Sequence, residues 1–224
     1  MEKYQIERIE LIKKLLPMFG SNYILKGGTA LTLYYGCNRY SEDIDLDCRK
    51  ETMNFLKNII NPGYKIWNVS VRKDTPTVFR IMIDYGAKNE YGDYPLKIEV
   101  SSRNKNILMF GELGINNFNG VNVYDTYTLK KQKIKAFQGR DKIRDYFDIG
   151  FLMRKYPELF TLDDLETIFE KVQLIGIESL VALLNYENNR NKISDVNPEE
   201  YVLETQYILE KLVKNLKNNT NIEW

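Results

Sequence analysis

Apolar residues recur along this chain in two rhythms. From Glu2 to Phe19, Ile9, Ile12, Leu16 and Phe19 return at three- and four-residue intervals, which predicts a helix. Residues 22–25 (NYIL) are short and apolar, as in a buried strand. Gly27-Gly28 reads as a turn, and TALTLYY (29–35) as a helix that stops near Gly36. The rhythm then changes. In EDIDLDC, Ile44, Leu46 and Cys48 alternate with Asp43, Asp45 and Asp47, so a strand would place the three carboxylates on one face. A helix over 51–60 follows, closed by Asn61-Pro62-Gly63. Residues 65–71, 77–85 and 95–102 are rich in β-branched and aromatic residues and read as strands, with 86–94 as a hairpin loop.

Beyond Val123 the helical rhythm takes over. Residues 125–156 carry two helical segments split near Gly139. Thr161 and Asp164 have the spacing of a helix-opening capping box, with Asp in place of the usual Glu. Leu165, Ile168, Phe169 and Val172 follow at helical spacing, as do Leu209, Leu212, Val213 and Leu216. The tail KNNTNIEW is polar and expected to fray. The pattern therefore predicts an α/β (α+β) chain: a domain over 1–123 with a small mixed sheet, then a mainly helical domain over 124–224.

Composition narrows the chemistry. With 224 residues and 43% hydrophobic content the chain can build a sizeable core; 32 basic and 31 acidic residues leave a formal charge of +1, so no global field draws it to nucleic acid or membrane. The charged start MEKYQIERIE has no signal-peptide character, and no apolar run approaches the roughly 20 residues that span a bilayer, so a soluble cytoplasmic protein is expected. Cys37 and Cys48 lack metal-ligand spacing and are expected to be reduced thiols. The chain has no histidine. His bases, Ser-His-Asp triads and His-ligated zinc are thus excluded, and carboxylate chemistry points to a hard cation such as Mg²⁺ or Mn²⁺.

The densest stretch is LKGGTALTLYYGCNRYSEDIDLD, Leu25 to Asp47. Glycines before a helix let backbone N–H groups approach an anion, although an ordinary strand-to-helix turn has the same look. Asp43 and Asp45 on a strand face could ligate one divalent cation or a pair; a solvated strand edge would read identically. Asp47 continues that face as a supporting or solvated carboxylate. Together, a glycine turn, an arginine and a carboxylate pair are what metal-assisted nucleotidyl transfer requires.

These residues carry a resemblance. KGGTAL and Arg39-Tyr-Ser-Glu-Asp-Ile-Asp-Leu46 resemble the signature of the polymerase-β-like nucleotidyltransferase superfamily, and more closely its AbiEii-type (MenT-like) bacterial toxin branch. A second block, Lys133-Ile-Lys-Ala136 with Arg144-Asp145-Tyr-Phe-Asp148, is similar to that branch's later helices. The matches cover about 26–46 and 129–153. The resemblance implies Mg²⁺ (or Mn²⁺) held by Asp43, Asp45 and a third carboxylate, Glu99, with Asp84 as its rival. It implies a nucleoside triphosphate bound by Lys26, Gly27, Gly28 and Thr29 and supported by Arg39, Ser41 and Lys133. Asp145 or Asp148 would orient Lys133 or act as a base; Arg144 and Asp148, four apart, would also suit a plain helix ion pair. The active site would draw on both domains. The implied activity is that of a toxin of a bacterial toxin–antitoxin system, transferring a nucleotide to RNA, with tRNA as the expected acceptor and a separate antitoxin as partner. Two alternatives stand beside it: transfer to a small molecule such as an antibiotic, and a nucleotide-binding module without catalysis. The basic run LKKQKIK (129–135) reads either as a solvated helix face or as a nucleic-acid contact.

Overall fold

The structure, a computed structural model, describes residues 1–49, 67–190, 193 and 196–220. The expected helix at 51–60 and its closing turn lie outside the described residues. The chain divides into two compact units, Met1–Gly36 with Tyr40–Asp125, and Cys37–Arg39 with Thr126–Trp224.

The first unit opens with α1 (Lys3–Leu15), which passes into a single 3₁₀ turn at Leu16–Met18, where Pro17 cannot supply the N–H a continuing helix needs. Strand β1 (Tyr23–Lys26) leads directly into α2 (Gly27–Tyr34). The expected two-glycine turn is thus compressed into one residue: Gly27 has φ +75° and already opens the helix. Then come β2 (Ile44–Cys48), β3 (Asn68–Thr75), β4 (Val78–Asp84), the two-residue strands β5 (Lys88–Asn89) and β6 (Gly92–Asp93), and β7 (Leu96–Ser101). A short α3 (Lys105–Met109) and the hairpin β8 (Ile115–Phe118) and β9 (Val121–Tyr124) complete the unit. Among the described residues the main sheet has seven strands, in the order β3-β4-β7-β2-β1-β9-β8. Pairing is parallel at β2–β7 and β1–β9 and antiparallel elsewhere, so the sheet is mixed.

Alternation explains which face is buried. Ile44 and Leu46, Ile98 and Val100, and Ile81 and Ile83 are all shielded from water, while Asp45 and Glu99 between the first two pairs point to the opposite, polar face. Helix α2 packs against β1, β2 and β9, and α3 against β2. The hairpin β8–β9 does not stand out in the hydrophobic pattern, because INNF and VNVY are short and half polar. Its turn is legible nonetheless: Asn119 (φ 50°) and Gly120 (φ 89°) form the Asn-Gly pair that tight hairpins favour.

The second unit is helical: α4 (Thr126–Gly139), α5 (Ile143–Lys155), a 3₁₀ turn at Pro157–Leu159, α6 (Leu162–Ile175), α7 (Ile177–Asn189) and α8 (Pro198–Thr220). α4 packs on α5 and α6, and α8 on α5, α6 and α7. The capping box at α6 is formed as expected: the Thr161 hydroxyl accepts from Asp164 N at 3.2 Å, and Asp164 Oδ2 accepts from Thr161 N at 3.1 Å. Of the tail expected to fray, residues 217–220 are the last turn of α8, and 221–224 lie outside the described residues. No helix among the described residues is long and apolar enough to cross a membrane.

Candidate active site

Asp45 sits on β2 and Asp43 just before it, and the alternation that buries Ile44 and Leu46 turns both carboxylates to the polar face. Their side chains stay partly open, at 30% and 35% exposure. Between them reaches Lys97 from β7, its Nζ 2.7 Å from Asp43 Oδ2 and 3.7 Å from Asp45 Oδ1. Burial raises the Asp43 carboxyl above the usual range, and the Lys97 charge only partly offsets it. Burial pulls the Lys97 ammonium the other way, but the Asp45 and Asp43 charges outweigh it and its pKa stands above the ordinary lysine value.

Glu99 lies abreast of Asp45 in the parallel β2–β7 register, and its carboxylate is held by Arg80 of β4, whose Nε donates to Oε2 at 2.6 Å. Asp84 stands at the far end of β4, where its Oδ1 accepts from Gly86 N at 2.9 Å in a local turn. Among the described residues no group of three or more Asp, Glu, Cys or His side chains is gathered tightly enough to hold a metal ion by itself. The Asp43–Asp45 pair nevertheless fits a hard cation. Its donors are all oxygen, and an ammonium already occupies the place a metal would neutralise. Mg²⁺ characteristically takes one or two carboxylates and completes its shell with water and substrate phosphates.

The glycine turn stands against Asp45. A Cβ built on Gly27 would lie 3.4 Å from Asp45 Oδ2, so the backbone passes within van der Waals contact of that carboxylate. No side chain caps the start of α2, which leaves its first N–H groups and the positive end of the helix dipole available to an anion. Thr29 is buried, and its hydroxyl is turned inward, 2.8 Å from Ser41 Oγ and donating to the Asp43 carbonyl. Thr29 and Ser41 therefore fix the chain where it enters β2. Arg8 of α1 works on the same segment, donating from Nη1 to the Glu42 carbonyl at 2.8 Å.

Lys26, the last residue of β1, is paired with Asp47. Asp47 is fully buried; its Oδ2 accepts from Asn104 Nδ2 at 2.7 Å and from the Tyr124 hydroxyl at 2.8 Å. The solvated option for Asp47 is thus overturned: the strand face it shares with Asp45 is covered at that end by α3 and β9.

The helical unit gathers a second cluster. Lys133 of α4 is 8% exposed at its side chain, with Nζ 3.1 Å from Asp145 Oδ1 and 2.6 Å from Asp148 Oδ2. Arg140 Nε donates to Asp145 Oδ2 at 2.7 Å, and Arg39 Nε and Nη2 donate to the two oxygens of Asp148 at 2.6 and 2.7 Å. Burial alone would raise both carboxyls. The Arg140 hydrogen bond and the Lys133 charge hold Asp145 below the usual range, and the Arg39 and Lys133 charges hold Asp148 at about 2. The Cys37 thiol, 3.7 Å from Asp148 Oδ1, is pushed up by burial, and both cysteines are buried thiols outside any disulfide. Arg144 pairs with Glu187 at 3.8 Å. The basic run is largely internal. Lys130 donates to the Leu159 carbonyl at 2.8 Å and pairs with Asp164, Lys133 is committed as above, and only Lys131 and Lys135 face solvent. Lys97 and Arg80 do not stand out as site residues in the sequence. Their signal is the charge that each carboxylate must find on a neighbouring strand or turn.

Comparison with known proteins supplies an independent line. The model of the family described as "Nucleotidyl transferase AbiEii toxin, Type IV TA system" matches residues 15–205. A candidate nucleotidyltransferase from H. pylori has a similar crystal structure, with a TM-score of 0.81 and 27% identity, over 97% of this chain and 98% of that one. JHP933 from Helicobacter pylori is similar at a TM-score of 0.78 and 28% identity, over 99% of this chain and 97% of that one. The uncharacterized protein aq_aa25 of Aquifex aeolicus (strain VF5) is 24% identical over 98% of this chain and the whole of its own length.

Proposed function

Since the chain belongs to the AbiEii family of nucleotidyltransferase toxins, we propose that it moves a nucleotidyl group from a nucleoside triphosphate to a hydroxyl of RNA, with tRNA as the acceptor. The observation that carries this reading is the close approach of the Gly27 turn, at the start of α2 where no side chain caps the helix, to the Asp45 carboxylate. An anion-binding backbone and a cation-binding carboxylate pair stand side by side, which is what a metal–triphosphate needs.

In this reading Asp43 and Asp45, with Glu99 abreast of Asp45 on β7, would hold Mg²⁺ or Mn²⁺. When bound, that ion supplies charge neutralisation at the triphosphate. The N–H groups of Gly27 and Gly28 take phosphate oxygens. Lys26, fixed by Asp47, adds positive charge beside them. Thr29, Ser41 and Arg39 act as positioning residues, because the hydroxyls of the first two and the guanidinium of the third are directed at protein atoms. For Lys133 the family resemblance implies a phosphate-binding role, with Asp145 and Asp148 orienting its ammonium. A carboxyl held at about 2, as Asp148 is, is a poor proton acceptor at neutral pH, which favours orientation over a base role. The acceptor oxygen bonds to the α-phosphorus, the bond from that phosphorus to the bridging oxygen of the β-phosphate breaks, and pyrophosphate leaves. The acceptor hydroxyl's proton passes to solvent. A cognate antitoxin and a cytoplasmic site of action belong to the same proposal.

The test is to incubate the protein with each α-labelled triphosphate, Mg²⁺ and total RNA. Label should enter the tRNA fraction, and Asp43→Asn with Asp45→Asn should abolish it while circular dichroism is unchanged. Label passing to a small molecule in a cell extract, with RNA unlabelled, would replace the acceptor. No transfer with any triphosphate would overturn the reading.

A further inference from the structure

We propose that Lys97 is a resident counter-ion of the Asp43–Asp45 pair: it holds the two carboxylates together before a divalent cation arrives and gives way to it, so that the site fills by exchanging one cation for another. The proposal rests on the reading of Asp43 and Asp45 as metal ligands.

Two carboxylates on one strand face repel, and the repulsion grows as solvent is withdrawn. Among the described residues, the polar face around the pair brings together Asp43, Asp45, Asp47 and Glu99 with three cations, and each cation has a distinct assignment. Lys26 serves the buried Asp47, and Arg80 serves Glu99. Lys97 differs from these two in spanning two carboxylates. Its place is set by strand register. Ile98 stands opposite Ile44 in the parallel β2–β7 pairing, and one step back along both strands brings Lys97 level with Asp43.

That position cannot be shared. A divalent cation held by the two carboxylates would need the oxygens that the Lys97 ammonium now engages, 2.7 Å from Asp43 Oδ2. The two positive charges would also repel. Lysine is suited to a reversible hold, because it has a compact charge on a four-carbon stem, and at 27% exposure it has room to swing outward. An arginine fork would lock onto the carboxylates instead, as Arg39 does on Asp148. A site whose open form is populated only in part binds its ligand more weakly by that fraction. Lys97 therefore lowers the intrinsic metal affinity of the empty enzyme, and a cation arriving with its triphosphate displaces the lysine more readily than a free cation does.

The experiment is Mn²⁺ titration without nucleotide, following the free ion by electron paramagnetic resonance, on the wild type, Lys97→Met and Asp43→Asn plus Asp45→Asn. Lys97→Met should bind Mn²⁺ at least about tenfold tighter, as expected when the lysine leaves the site open about a tenth of the time. Damage to packing weakens binding, so a gain is specific to the exchange. Lys97→Met should also melt lower than wild type in EDTA and recover more on adding Mn²⁺. Should Lys97→Met fail to fold in EDTA, Lys97→Gln, which keeps a hydrogen-bonding head, takes its place. Equal or weaker Mn²⁺ binding by the folded variant, lost in the double Asn variant, overturns the role of Lys97 and leaves the metal ligands standing. Binding that survives the double Asn variant, or none in either lysine variant, removes the metal assignment itself.

Discussion

Arg39 and Asp148 lie 109 residues apart in sequence and meet as a two-pronged ion pair, Nε to Oδ1 at 2.6 Å and Nη2 to Oδ2 at 2.7 Å, with both side chains almost wholly buried. Removing one member of such a pair strands the other charge. Asp148→Asn should lower stability by about 3–5 kcal/mol in urea unfolding. Arg39→Lys keeps the charge but loses the planar fork, and should still cost about 1 kcal/mol or more. An Arg39→Lys variant as stable as wild type would show that only the charge matters.

The same pair sets an acid limit. Asp148 titrates at about 2 in the folded protein and near 3.9 once unfolded. Its folded pKa is depressed, so its contribution is complete above about pH 4 and disappears as pH falls towards about 2. Asp145 is shifted in the same direction by Arg140 and Lys133. Urea midpoints measured from pH 6 downward should drop most steeply in that window, and Asp148→Asn should flatten the slope.

Gly27→Ala tests the turn. At φ +75° a Cβ is strained, at about 1–2 kcal/mol, and the added carbon would touch the Asp45 carboxylate. Triphosphate binding by calorimetry should fall at least about tenfold, beyond what the loss of stability explains. If the folded variant binds normally, the glycine serves the backbone alone.

Lys133→Gln and Lys131→Gln each remove one positive charge from α4, but from different places. Lys133 is buried between two carboxylates, whereas Lys131 lies over the Tyr127 ring at the surface. Lys133→Gln should cut nucleotidyl transfer at least about tenfold, roughly 1.4 kcal/mol of transition-state stabilisation, and Lys131→Gln far less. Melting curves must accompany the rates, because Lys133 also bridges Asp145 and Asp148. Equal small effects would leave α4 with only diffuse charge.

The alternation of Ile44, Leu46 and Cys48 with three aspartates is enough to orient β2, because a period of two admits one buried face. The Thr161 capping box is likewise local and legible. What the sequence conceals is pairing across strands and helices. Nothing near Lys97 announces that register sets it level with Asp43, and nothing near Asp47 announces that Asn104 and Tyr124 will bury it. Lys130 reads as a surface lysine in a basic run until Asp164, 34 residues later, meets it. The β8–β9 hairpin is hidden for another reason: its half-polar strands carry little periodicity, and only Asn119-Gly120 marks it.

The withdrawal of Lys130 and Lys133 into the helical unit has a consequence for how RNA binding would respond to salt. Each phosphate neutralised by a lysine releases condensed counterions, and for single strands the affinity exponent is about −0.7 per contact. A run of four solvent-facing lysines would give about −2.8 and lose roughly 50-fold in affinity between 50 and 200 mM salt. With only Lys131 and Lys135 outward, the exponent falls to about −1.4 and the loss to roughly sevenfold. RNA held along α4 would thus stay bound across the ionic strengths that strip a polyelectrolyte-type binder, and its selection would depend on shape more than on counterion release.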